Sequence, residues 1–111
     1  GKYVPLNLNE FKKDDKYLVF SGIGNHQTFV SMIKNYGLKI SKDLEFPDHY
    51  KYSKFEIDQI LSEASNMNYK IITTEKDYLR LDKKYHNEIK YIKSELKIID
   101  EDQLLKSIIK K

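Results

Sequence analysis

A chain of 111 residues, 40% hydrophobic and 33% charged, has enough apolar material for one small core, and its pattern excludes a disordered segment. Twenty basic residues against seventeen acidic leave a net charge of +3, and all but one of the basic residues are lysine, so neither charge nor residue type argues for nucleic acid. The absence of cysteine excludes disulfides and thiolate metal sites, and no apolar run has the length of a membrane span or the pattern of a signal peptide.

The chain starts at Gly1 without an initiator Met, as expected of a fragment or a processed product. Residues 1–16 read as an extended lead-in or linker, because Pro5 and several Asn residues disfavour a helix and KKDDK resembles a solvated turn. Residues 17–111 read as one α/β lobe. YLVF at 17–20 is a short apolar run suited to a buried strand. SGIGN follows as a glycine loop, and Phe29, Met32, Ile33 and Tyr36 then recur at helical spacing until Gly37 closes the helix. Residues 38–46 form a second strand, ended by Pro47.

Ser53 and Glu56 make a capping box, and Tyr52 with Ile57 a hydrophobic staple. Ile57, Ile60, Leu61, Ala64 and Met67 give the helix one apolar stripe. KIIT at 70–73 is a third strand, and Thr74 and Asp77 can cap a helix over 75–81. Residues 82–90 are polar and irregular. A fourth strand is expected within 92–99, clearest at LKII, and Asp100 with Gln103 opens a last helix. His26 and His86 read as solvated, Tyr17 and Tyr36 as core.

The fold class is therefore α/β: a small, mostly parallel sheet of about four strands flanked by helices. The expected order sets the second strand on one side of the first and the third on the other. In a parallel sheet the loops after the first three strands leave by one edge, where such folds bind ligands. Those loops are SGIGN, PDH and TTEKD.

Each loop has two readings. Gly22, Gly24 and Asn25 form either a plain tight turn or a place where amide groups at a helix start meet an anion. The loop is neither a Walker A sequence nor a full dinucleotide fingerprint. Asp48 and His49 are either a turn residue and a surface histidine or a polar pair that meets phosphate and, through a water on Asp48, Mg²⁺. Lys76 either meets a phosphate or is one more solvated lysine beside the caps. No nucleophile elbow and no zinc spacing is present.

Taken together, FSGIGNHQTF, LEFPDHYKYS and IITTEKDYLRL resemble the C-terminal portion of the tetraacyldisaccharide 4'-kinase family, over roughly residues 17–81. The resemblance implies the smaller lobe of a P-loop-type kinase. Such an enzyme moves the ATP γ-phosphate to the 4'-hydroxyl of a tetraacyldisaccharide 1-phosphate to give lipid IVA, using ATP and Mg²⁺. It works as a peripheral protein at the cytoplasmic face of the bacterial inner membrane. The implied partners are the N-terminal P-loop lobe and the lipid disaccharide, with no nucleic acid. The family's FPDH is matched by Phe46, Pro47, Asp48 and His49, which implies that His49 is catalytic and that Asp48 orients it or reaches metal-bound water. GIGNP is matched by Gly22, Ile23, Gly24 and Asn25, with His26 in place of proline, and the family's second histidine is Tyr50 here. TTEKD is matched in full, Lys76 included. The 111 residues alone are expected to be inactive, because they contain no phosphate-cradling loop. The alternative reading is a non-catalytic stand-alone or split-gene module that binds phosphate or nucleotide.

Overall fold

The computed structural model describes residues 2–5 and 7–97. Strands β2 (Lys16–Ser21), β3 (Lys39–Glu45), β4 (Lys70–Thr74) and β5 (Ile89–Ile92) form a parallel sheet in the order β3-β2-β4-β5. The expected placement of the first three strands is the one observed. Helices α1 (His26–Tyr36), α2 (Lys54–Met67) and α3 (Glu75–Arg80) form the crossovers.

The central strand β2 is apolar from Tyr17 to Phe20 because both of its faces are covered. Tyr17 and Val19 pack with Phe29, Val30 and Ile33 of α1, while Leu18 and Phe20 pack with Ile57, Ile60 and Ala64 of α2. β4 repeats the division, Ile72 joining the first cluster and Ile71 the second. Alternation of side chains along a strand requires this split.

The helix ends follow the sequence. α1 stops at Gly37, whose φ of 107° is the left-handed conformation glycine adopts freely. α2 starts at the capping box: Glu56 N–H donates to Ser53 Oγ at 3.1 Å, and Ser53 N–H donates to Glu56 Oε1 at 2.9 Å. The Ser53 amide, then the Tyr50 hydroxyl, hold the Glu56 carboxyl below its ordinary value of 4.5. A depressed carboxyl contributes stability that is complete above the unfolded value and is lost as pH falls through the folded one. Glu56→Gln is therefore expected to flatten the acid limb of a stability–pH curve below about pH 4.5, measured by urea unfolding. An unchanged acid limb would show that the box does not titrate with folding.

Two elements differ from expectation. The fourth strand lies at Ile89–Ile92, earlier than the 92–99 segment. Ile89 and Ile92 reach opposite faces of the sheet and complete the two clusters. After Lys93 the chain leaves this sheet, and β6 (Ser94–Lys97) pairs antiparallel with β1 (Lys2–Pro5). The lead-in is also fastened to β5. Asn7 Nδ2 donates to the Tyr91 carbonyl at 3.0 Å, Lys93 N–H donates to Asn7 Oδ1 at 2.8 Å, and Leu8 is buried in the α1-side core. The helix expected after Asp100 lies outside the described residues.

Candidate functional site

The first and third loops diverge at the sheet edge. From β2 the chain turns into α1 on one face and back to β3; from β4 it turns through α3 towards β5 on the other side. Adjacent parallel strands whose connections part in this way leave a crevice at their carboxyl ends. Here the crevice is a cleft of about 590 Å³, within the range of small-molecule sites. Ile23, Gly24, Asn25 and Thr28 line one wall, Thr74, Glu75, Lys76 and Leu79 the other, and Asp48 with His49 the lip.

The 46–53 loop owes its position to its aromatic residues. Phe46 stacks on Tyr50 with ring centres 5.0 Å apart, and Tyr52 meets Phe20 edge-on at 5.3 Å and Phe46 at 5.1 Å. Each such pair contributes about 0.5–1.5 kcal/mol beyond burial. The backbone adds Phe46 N–H to the Ser21 carbonyl at 2.9 Å and His49 N–H to the Gly22 carbonyl at 3.1 Å. The apolar residues of the motif thus fasten the loop to β2 and leave Asp48 and His49 as a polar tip.

That tip is strained. His49 has φ of 60°, in the left-handed region that non-glycine residues seldom occupy. Its side chain is 79% exposed, and Nε2 stands 3.7 Å from Asp48 Oδ2. Arg80 Nη2 lies 3.5 Å from His49 Nδ1. Strain of this kind persists where the surroundings over-determine it, and it clusters at functional positions.

The residue that joins the loops is Asp77, read from sequence only as a cap. It is fully buried. The Gly22 amide donates to both of its oxygens at 3.1 Å, the Tyr52 hydroxyl to Oδ1 at 3.0 Å and the Thr74 hydroxyl to Oδ2 at 2.6 Å. Arg80 Nη1 stands 3.6 Å away. One carboxylate therefore touches all three loops. Burial, and then the Asp77 carboxylate, push the Tyr52 phenol well above its ordinary value, so it remains a donor across the physiological range.

This geometry sorts the residues named from sequence. Gly24, Asn25, Asp48, His49 and Lys76 share the cleft. Gly22 lies beneath it, with its amide committed to Asp77 and no room for a side chain: an added Cβ would stand 3.0 Å from the Pro47 carbonyl oxygen. Gly22 serves the close approach of two loops rather than an open anion cradle. No group of three or more His, Asp or Glu side chains able to hold a metal occurs among the described residues, so Asp48 offers one carboxylate ligand.

His26 departs from its reading as a solvated residue. It is buried, with Nδ1 2.5 Å from Ser21 Oγ and Nε2 2.6 Å from Asp43 Oδ1, and it ties β2, β3 and the start of α1 together. His86 is half-buried, stacked on Tyr78 with ring centres 4.0 Å apart.

The sequence matches the tetraacyldisaccharide-1-P 4'-kinase family over residues 4–111. It is 61% identical to tetraacyldisaccharide 4'-kinase of Pelagibacter ubique (strain HTCC1062) across 99% of this chain and 35% of that protein. It is 40% identical to the tetraacyldisaccharide 4'-kinase of Rickettsia akari and 39% to that of Rickettsia felis, each across 93% of this chain and 31% of the relative. The chain thus spans about a third of the length of these relatives. No solved structure gives a significant match. With nearly its whole length matched, the chain belongs to the tetraacyldisaccharide-1-P 4'-kinase family.

Proposed function

We propose that the chain is the C-terminal lobe of an ATP-dependent kinase that phosphorylates the 4'-hydroxyl of tetraacyldisaccharide 1-phosphate to give lipid IVA. The supporting observation is the cleft: three loops tied to one buried carboxylate bring His49, Asp48, Lys76 and the Gly24–Asn25 turn to one crevice. Phosphoryl transfer depends on positioning and electrostatic stabilisation, and a rigid polar edge closing on a nucleotide-bearing lobe supplies both.

Within this reading His49 faces the transferring phosphate, and Asp48 orients His49 or reaches metal-bound water. Lys76 and the amides of Gly24 and Asn25 meet phosphate oxygens. A single half-exposed carboxylate fits Mg²⁺, which is held through one or two carboxylates, waters and substrate phosphates. When bound, that ion would neutralise charge on the phosphates. Leu79, 70% exposed beside the cleft, suits contact with the second lobe. Work at the cytoplasmic face of the inner membrane would be peripheral, and no helix among the described residues is long and apolar enough to cross a membrane.

The test is a chimera in which this chain replaces the matching third of the Pelagibacter ubique relative. The chimera is expected to phosphorylate the disaccharide at a rate near the parent's, while the 111 residues alone, which contain no Gly-Lys-Ser/Thr loop, are expected to show no transfer. A folded but inactive chimera, or ATP-dependent phosphorylation by the chain alone, would overturn the proposal.

A further inference from the structure

Among the twenty basic residues of the chain, Arg80 is the one arginine. It closes α3, where a cation suits the negative end of the helix, but lysine would serve that purpose equally. The guanidinium also spans two partners. Nη1 stands 3.6 Å from Asp77 Oδ1, and Nη2 stands 3.5 Å from His49 Nδ1. A single ammonium on a flexible stem cannot hold both, whereas a rigid planar fork can.

The two partners differ in freedom. Asp77 is buried and held by the Gly22 amide and the Tyr52 and Thr74 hydroxyls, so it is a fixed anchor for the guanidinium. The His49 ring is exposed, and Asp48 Oδ2, 3.7 Å from Nε2, is beyond hydrogen-bond reach. Among the described residues, the hydrogen-bond partner of the ring is Arg80. The amide of His49 fastens the loop to Gly22 and leaves rotation about the Cα–Cβ bond unset. Catalytic hydrogen bonds often start long and shorten in the reacting complex.

From this bridge we infer that Arg80 is a positioning residue that orients the His49 imidazole and fixes its tautomer. A guanidinium donates and does not accept, so Nδ1 is the acceptor and the ring proton rests on Nε2. Nε2 is the nitrogen on the Asp48 side, where its N–H can donate to a phosphate oxygen. Arg80 lines a different cleft from His49, with Tyr50 and Tyr52, and therefore acts through the histidine rather than on the ligand. Its effect on turnover rests on the kinase reading, and its effect on the ring does not.

The experiment pairs side-chain NMR of the chain with kinetics of the chimera. Arg80→Lys keeps a cation beside Asp77 and removes the fork, so the dispersed amide spectrum should be retained. With the ring neutral, long-range proton–nitrogen correlations and three-bond couplings should show one His49 rotamer with the proton on Nε2 in the parent, and rotamer averaging in Arg80→Lys. In the chimera, Arg80→Lys should lower kcat about tenfold with KM for ATP unchanged, and should lower it no further once His49 is replaced by alanine. A ring as ordered in Arg80→Lys as in the parent, or averaged in both, overturns the inference. An equal fall in kcat in the His49→Ala background overturns it too. Undiminished turnover in His49→Ala alone faults the kinase reading instead, and the couplings still decide the role of Arg80.

Discussion

Asp77→Ala is expected to destabilise the chain by about 3 kcal/mol, the largest loss from any single change at the site. The carboxylate is fully buried and accepts from the Gly22 amide, the Tyr52 hydroxyl and the Thr74 hydroxyl. Truncation leaves the buried Gly22 amide without its acceptor and removes the partner of the Tyr52 hydroxyl. An abandoned buried donor costs about 1–3 kcal/mol, and relaxation recovers part of it. The α3 cap is weakened as well, since Thr74 Oγ1 both accepts from the Asp77 amide and donates to its side chain. For a domain of this size the melting temperature should fall by roughly 15 °C.

Conservative variants separate charge from shape. Asp77→Asn keeps the volume but turns a donor towards donors, and a loss of about 1–2 kcal/mol is expected. Tyr52→Phe deletes one hydroxyl and keeps the ring against Phe20, so about 1 kcal/mol is expected. The check is urea unfolding, with midpoints shifted in that order and slopes unchanged. An Asp77→Ala loss below about 0.5 kcal/mol would mean that the loops are held by their aromatic and backbone contacts without the carboxylate.

Much of this architecture is legible in the residues. Apolar runs at β2 and β4, the capping box at Ser53 and Glu56 and the C-terminal Gly37 each encode a local element, and alternation of elements dictates a parallel sheet. The cleft follows from that sheet, because all three loaded loops must leave by one edge.

Other features depend on tertiary contacts that local patterns do not carry. Asp77 sits at a third helical position, where capping explains an acid completely, and nothing in TTEKD announces a partner 55 positions away at Gly22. The register of β5 was hidden for a similar reason. LKII is the more apolar segment, yet Ile89 and Ile92 are the pair whose spacing serves both faces of the sheet. His26 was legible, in contrast. It stands three, four and seven residues before Phe29, Val30 and Ile33, on the buried stripe of α1, and helical spacing outweighs the usual preference of histidine for solvent.

The second large effect concerns turnover. Because His49 is exposed and fixed by its backbone rather than by its imidazole, removing the ring should leave stability almost unchanged. Its left-handed φ is maintained by the Gly22 carbonyl, the Tyr50 turn and the aromatic cluster, none of which needs the side chain. A proton donor or electrostatic contact placed at a transferring group contributes about 100-fold or more to rate. His49→Ala should therefore separate folding from catalysis, whereas Asp77→Ala disturbs both.

The most direct measurement is kcat at saturating ATP for His49→Ala in the active chimera, with melting temperature recorded on the same preparation. A fall of about 100-fold, roughly 2.7 kcal/mol in barrier, at an unchanged melting temperature is the predicted result. Undiminished kcat in the folded variant would contradict the claim that this loop presents its histidine to the phosphate being transferred.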